Sequence, residues 1–279
     1  MYNQFYGFKE NPFDLTPNSK FFFASHKHTD ALDSLVYAID QRKGFVVITG
    51  EIGSGKTTVC RTLLSRLDKN TQVALITNTH LTSKDLLMMV LEEFEIEFSN
   101  GSKAELLSAL NTHLIEQFKH NINVVLIIDE AQNLTPDVLE EIRMLSNLET
   151  ETEKLVQIIL LGQPELKQKL ALNCLEQLRQ RVAVYIHLLP LNKTETTEYI
   201  LHRLKIASGS DQQFITPGAL QLAYHFSKGV PRLINQICDH AFLTGYVSES
   251  PMIYDRIMQE VIEESPMEQL RHERTREYA

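Results

Sequence analysis

Apolar residues follow two rhythms along the chain up to Pro190. Short, nearly unbroken apolar runs occur at Val46, Val47 and Ile48, in QVALITN (72–78), in NVVLIIDEAQ (123–132), in VQIILLGQ (156–163) and in VAVYIHL (182–188). Such runs predict strands buried on both faces. The stretches between them repeat at helical spacing instead. Ala31, Leu32, Leu35, Val36 and Ile39 share one face of a helix expected over residues 26–42, and Val59, Leu63, Leu64 and Leu67 mark a second. Ser83 is placed to cap a helix through LLMMVLEEF, and Ser102 with Glu105 forms a capping box ahead of AELLSALNTHLIEQF. Thr135 followed by Pro136 opens a helix reaching about Leu148.

Strands alternating with helices predict an α/β fold: a five-stranded parallel sheet with right-handed crossovers and helices on both faces, an αβα sandwich. Beyond Pro190 the β runs stop. Helices fit TETTEYILHRLKIA, PGALQLAYHFSK after a Thr216 cap, PRLINQICDHAFL, and a last stretch from Pro251 to Glu264, which together predict a small all-helical second domain. The first 23 residues are crowded with aromatics and punctuated by Pro12 and Pro17, which predicts an extended, anchored arm and not a helix. The expected division is residues 1–43 as arm and first helix within the core module, 44–190 as core, 191–265 as the helical domain and 266–279 as a charged tail.

Composition changes this picture only slightly. The chain has 279 residues, room for one large or two unequal domains. Its 36 acidic against 27 basic residues weigh against a protein that coats nucleic acid by charge alone. Cys60, Cys174 and Cys238 are scattered without a CxxC pair, so neither a disulfide framework nor a zinc site is expected, and small apolar filling is their expected role. The start, MYNQFYGFKENPF, has no secretory pattern, and no apolar run approaches the ~20 residues of a membrane span. A cytoplasmic location is the resulting expectation.

The chemistry concentrates in two places. GEIGSGKT has Gly50, four residues, Gly55, Lys56 and Thr57, between a predicted strand and a predicted helix. This is the P-loop pattern. Glycines keep side chains out of the way so that backbone N–H groups converge on phosphate oxygens, and the following helix adds its positive end. The candidate nucleotide-binding set is Gly50, Gly53, Ser54, Gly55, Lys56, Thr57 and Thr58, with Lys56 reaching the β- and γ-phosphates and the Thr57 hydroxyl offered to Mg²⁺. The second place is the end of LIIDE. Asp129 can hold Mg²⁺ through water, and Glu130 can polarise a water for attack on the γ-phosphate. A complete strand and helices separate Lys56 from Asp129, leaving room for an extra strand between them in the sheet. P-loop enzymes of that type hydrolyse ATP.

GEIGSGKTT, LIIDEAQ, QLRQRV and GVPR together resemble an AAA+ ATPase. More narrowly, FYGFKENPF, GFVVITGEIGSGKTT, IIDEAQNL, LLGQPEL and GVPRLIN resemble the general secretion pathway protein A family of the ExeA type, including its shorter relatives tied to MSHA-type pilus biogenesis. The resemblance covers residues 1 to about 265. It implies that residues 191–265 are a helical lid, with ATP and Mg²⁺ at the junction of core and lid, and a homo-oligomeric ring. Arg181 falls where the family places its arginine finger, with Arg179 as the competing candidate. Arg232 resembles the lid arginine called sensor 2. A cation in a first helical turn opposes the helix dipole, and a phosphate partner would explain it there. Gln163 falls at the polar sensor 1 position, where other AAA+ proteins commonly carry asparagine or threonine. Asn11, Pro12 and Phe13 resemble the N-terminal contact to adenine. The longer relatives continue into a membrane span and a peptidoglycan-binding region that this chain does not show, so recruitment to the inner membrane by a partner is expected. The implied role is assembly of a secretion or type IV pilus-like envelope machine; a DNA-bound, transposition-type regulator is the alternative.

Overall fold

The structure is a computed structural model and describes residues 1–151 and 153–265; the charged tail expected over 266–279 lies outside the described residues. The chain opens with α1 (Tyr2–Tyr6) and α2 (His26–Asp40), followed by β1 (Phe45–Gly50), α3 (Lys56–Arg66) and β2 (Thr71–Ile76). Next come α4 (Ser83–Glu93), α5 (Lys103–Lys119), β3 (Asn123–Ile128), α6 (Pro136–Leu145) and β4 (Gln157–Gly162). Two short helices, α7 (Pro164–Leu170) and α8 (Glu176–Arg181), precede β5 (Val182–Leu188). The remaining elements are α9 (Lys193–Ser208), α10 (Pro217–Ser227), α11 (Pro231–Val247) and α12 (Asp255–Glu264).

Two compact units result. Among the described residues, one holds His26–Ile52 and Lys56–Leu188, and the other holds Met1–Ser25, Gly53–Gly55 and residues 189–265. The arm and first helix expected as one piece over residues 1–43 are therefore divided, and Met1–Ser25 group with the helical unit.

In the sheet unit the five strands are ordered β2-β3-β4-β1-β5, and every pairing is parallel. The extra strand is β4, which lies between β1 and β3. The register aligns Ile128 with Leu160, and Gly162 with Thr49. The carboxyl ends of β1, β3 and β4 thus fall along one edge, where ligands of open parallel sheets bind. β1 and β4 are buried at every position, as their unbroken apolar runs required. β5 is an edge strand of alternating exposure, whose apolar run nevertheless reads like a central one.

The helical unit is built on aromatic packing. Tyr2 and Tyr6, one turn apart, both lie against Phe242, and Phe8 packs edge-on to Phe214. That shared face explains why the arm begins with a helix and not the extended segment expected: tertiary contact supports a turn too short to persist alone. Gly7, with φ 74, ends it. Asn192 and Glu195 form a capping box for α9, and Thr216 caps α10 as expected.

Candidate active site

β1 delivers Gly50 at its last position, and α3 begins at Lys56. Lys56 is 7% exposed and its ammonium donates to the carbonyls of Gly50 (2.7 Å) and Glu51 (3.0 Å). Burial pushes the ammonium below the ordinary lysine value, while the carboxylates of Glu130, Asp129, Glu51 and Glu165 act against that shift. Thr57 follows in the same first turn, its hydroxyl donating to Asp129 Oδ2 at 3.2 Å. Thr58 offers its carbonyl to the Thr62 hydroxyl.

Asp129 and Glu130 leave β3 immediately after Ile128, so the strand expected through residue 132 stops earlier. The Asp129 amide closes the ladder on the Ile76 carbonyl (2.9 Å), and its Oδ1 accepts from the Glu130 amide. Burial raises the Asp129 carboxyl above the ordinary range, opposed by the Glu130 amide, the Thr57 hydroxyl and Lys56, and reinforced by the Glu130 charge. Glu130 has φ 52 and ψ 35, a left-handed conformation that costs a non-glycine residue roughly 1–2 kcal/mol. The chain then turns through a 3-10 segment, Ala131–Asn133. Thr57 Oγ1 and the Asp129 carboxylate therefore present adjacent oxygen donors, the kind a small hard cation such as Mg²⁺ takes, beside a buried ammonium.

Two amides meet Glu130. Gln132 Nε2 donates to Glu130 Oε2 at 2.6 Å, and Gln163 Nε2 donates to the same oxygen at 3.2 Å. Gln163 is also the N-cap residue of α7, with Pro164 at the first helical position. Gln132 was not among the sequence candidates; its place two residues past the acidic pair was the available signal. Cys60 is buried nearby, its thiol pushed up to about 12 by burial, so it stays a neutral apolar filler. Cys238 fills in the same way, whereas Cys174 is exposed, contrary to expectation.

Residues 39–170 match the model of the AAA domain. General secretion pathway protein A of Aeromonas hydrophila is 43% identical over 254 residues, covering 91% of this chain and 46% of that protein. The chain is similar to general secretion pathway protein A over nearly all of its own length. It spans about half the length of that curated relative. Two solved structures share the fold at low identity. The ADP form of the ORC2 protein of Aeropyrum pernix has a TM-score of 0.70 at 12% identity, covering 92% of this chain and 73% of that one. The RuvB Holliday junction branch migration motor of Thermotoga maritima has a TM-score of 0.58 at 18% identity, covering 87% and 70%.

The sheet order and the solved structures make this a P-loop NTPase fold, and the remaining sequence candidates fall as follows. Arg181 ends α8, immediately before Val182, which pairs with Phe45 at the start of β1. Gly50 lies at the other end of β1, about 17 Å away at the usual strand rise. Arg181 donates to Ser146 Oγ at 3.0 Å and lines a cavity of about 600 Å³ with Lys43, Arg143 and Lys154. Arg179 instead donates to the carbonyls of Leu170 and Ala171 at the end of α7. In the helical unit, Arg232 occupies the first turn of α11, and its amide donates to the Gly53 carbonyl at 3.3 Å. Gly53 has φ 77, and a Cβ there would collide with the Arg232 side chain, so only glycine fits. Gly55 also has positive φ, and Ser54 is buried between them. The Asn11 side-chain oxygen Oδ1 accepts from the Phe13 amide (2.9 Å) and from the Tyr2 hydroxyl. Phe13 has no exposed surface and stacks on Phe242, while the Pro12 carbonyl accepts from Arg203. These side chains are occupied in turn-making and packing, which gives the resemblance to an adenine contact no exposed ring to act through.

Proposed function

We propose that this protein is a Mg²⁺-dependent ATPase serving the assembly of a secretion or type IV pilus-like envelope machine. The observation that carries the reading is the convergence of Lys56, Thr57, Asp129 and Glu130 at one edge of the sheet, with the Thr57 hydroxyl on the Asp129 carboxylate at 3.2 Å. Lys56 would neutralise the β- and γ-phosphates after exchanging its two loop carbonyls for phosphate oxygens. Thr57 and Asp129 would hold Mg²⁺, whose charge supplies stabilisation of the phosphate oxygens. Glu130 would accept a water proton as the oxygen–phosphorus bond forms and the bond to the leaving ADP oxygen breaks. Arg232, placed at Gly53 within its own unit, is the proposed lid cation.

We assign the finger role to Arg181 over Arg179. Arg179 is committed to two carbonyls at the end of α7, whereas Arg181 opens into a cavity at the sheet edge opposite Gly50. That distance suits ATP held by a second copy, hence a ring. The proposed location is the cytoplasm, with recruitment to the inner membrane by an envelope protein. No helix among the described residues is long and apolar enough to cross a membrane. The specific observation favouring the DNA-bound alternative is the same cavity, because Lys43, Arg143, Lys154 and Arg181 gather there in a chain of net charge −9. DNA binding that falls steeply with salt and is lost in Lys43→Glu would favour it.

Calorimetry with ATP tests the primary reading. Lys56→Ala is expected to abolish binding, because ammonium and loop geometry both act on the phosphates. Wild-type affinity retained in that variant would remove the P-loop assignment.

A further inference from the structure

Glu130 needs more than its place after β3 to act on a water. Its backbone sits in a strained left-handed conformation, and a carboxylate on such a turn has several rotamers available. The structure restrains it through a connected set of groups, none of which is part of the phosphate loop.

The Gln163 backbone N–H, which can only donate, lies 3.0 Å from the Gln132 side-chain oxygen. That bond fixes which end of the Gln132 amide is oxygen, an assignment otherwise ambiguous for glutamine. The Nε2 end must then face Glu130 Oε2, 2.6 Å away. Lys169 on α7 reinforces the arrangement by donating to the carbonyls of Gln132 and, at 2.6 Å, Leu134, which pins the turn carrying Gln132. Gly162 completes it: a Cβ there would sit 3.0 Å from Gln132 Oε1 and 2.8 Å from Leu166 Cδ2. Residue 162 must therefore be small for the Gln132 amide to lie where it does. Both amide donors, from Gln132 and Gln163, use Glu130 Oε2 and neither uses Oε1.

We infer that Gln132 is the positioning residue of the hydrolytic base: it fixes the Glu130 carboxylate by one oxygen so that the other is presented to water. This rests on Glu130 being the base, as proposed above. Gln132 bridges α7 and the acidic pair, accepting from the first residue after β4 and donating to the last residue before the 3-10 turn. A misplacement of a reacting group by about 1 Å can cost on the order of 10²-fold in rate, which sets the expected effect.

The test is a double-mutant cycle on the full chain, read as steady-state phosphate release and as ATP affinity by calorimetry. Gln132→Leu keeps the bulk and removes both hydrogen bonds. Gln132→Glu is the second variant; it keeps an acceptor for the Gln163 N–H, hence the local fold, and replaces the donor to Glu130 with a like charge. Each is expected to lower kcat about 10- to 100-fold with ATP affinity within about twofold of wild type. Neither is expected to lower turnover further when combined with Glu130→Gln, because Gln132 acts through Glu130. A purely structural role would lower affinity as well and would add to Glu130→Gln. Full turnover in both Gln132 variants, or the same fractional loss on top of Glu130→Gln, would overturn the inference while leaving the ATPase reading standing. Full turnover in Glu130→Gln itself would overturn the base assignment and, with it, the positioning role.

Discussion

At the scale of single residues, the same pattern can serve a ligand or a core, and burial decides between them. Phe13 belongs to an N-terminal motif that resembles an adenine contact, yet its ring is fully enclosed and stacks on Phe242 at 5.7 Å between centroids. Phe13→Leu is therefore expected to lower stability by about 1 kcal/mol through imperfect refilling of the core, with ATP affinity unchanged. Chemical denaturation and calorimetry on the same variant check this; a tenfold loss of affinity at unchanged stability would restore the adenine contact. Lys56, Thr57, Asp129 and Glu130 were legible because their chemistry is tied to fixed spacing and to strand ends. Gln132 was not, since a glutamine two residues past an acidic pair has no spacing rule of its own. Its role emerges only when β4 brings Gln163 beside it.

At the scale of elements, the five strands were legible from apolar runs and the longer helices from period and caps. Boundaries moved where a cap competed. Thr82, one residue before Ser83, caps α4 in a reciprocal box with Asp85, and α6 stops at Leu145 with Ser146 as its cap instead of running to Leu148. The last helix starts at Asp255 and not at Pro251, because Ile253 forms a bridge with Ile215 first. Besides α1 in the arm, the helices missed were α7 and α8, of 7 and 6 residues. Segments that short carry too few turns to display a period, and their stability comes from packing Leu166, Leu170 and Leu178 into the core beneath the sheet. The cost of missing them was functional: α7 carries Lys169, and α8 carries Arg181 to the edge opposite Gly50.

At the scale of the whole molecule, the proposed finger role requires more than one chain, because Arg181 is at the wrong end of β1 to serve its own phosphate loop. Specific activity is expected to rise with protein concentration as rings form, and Arg181→Ala is expected to remove that rise. An arginine finger supplies on the order of 10³–10⁵ in rate, so the loss is readily measured as phosphate release against concentration. Mixing Arg181→Ala with Lys56→Ala should restore part of the activity, since one contributes a working loop and the other a working finger. Activity independent of concentration, with no recovery on mixing, would place hydrolysis within one chain. The central claim, that Glu130 activates water at a site loaded through Lys56, is tested most directly by Glu130→Gln in paired binding and turnover measurements with Mg²⁺ and ATP. Wild-type ATP affinity with hydrolysis slowed about 10²- to 10⁴-fold is expected, whereas turnover at the wild-type rate would remove Glu130 from the chemistry.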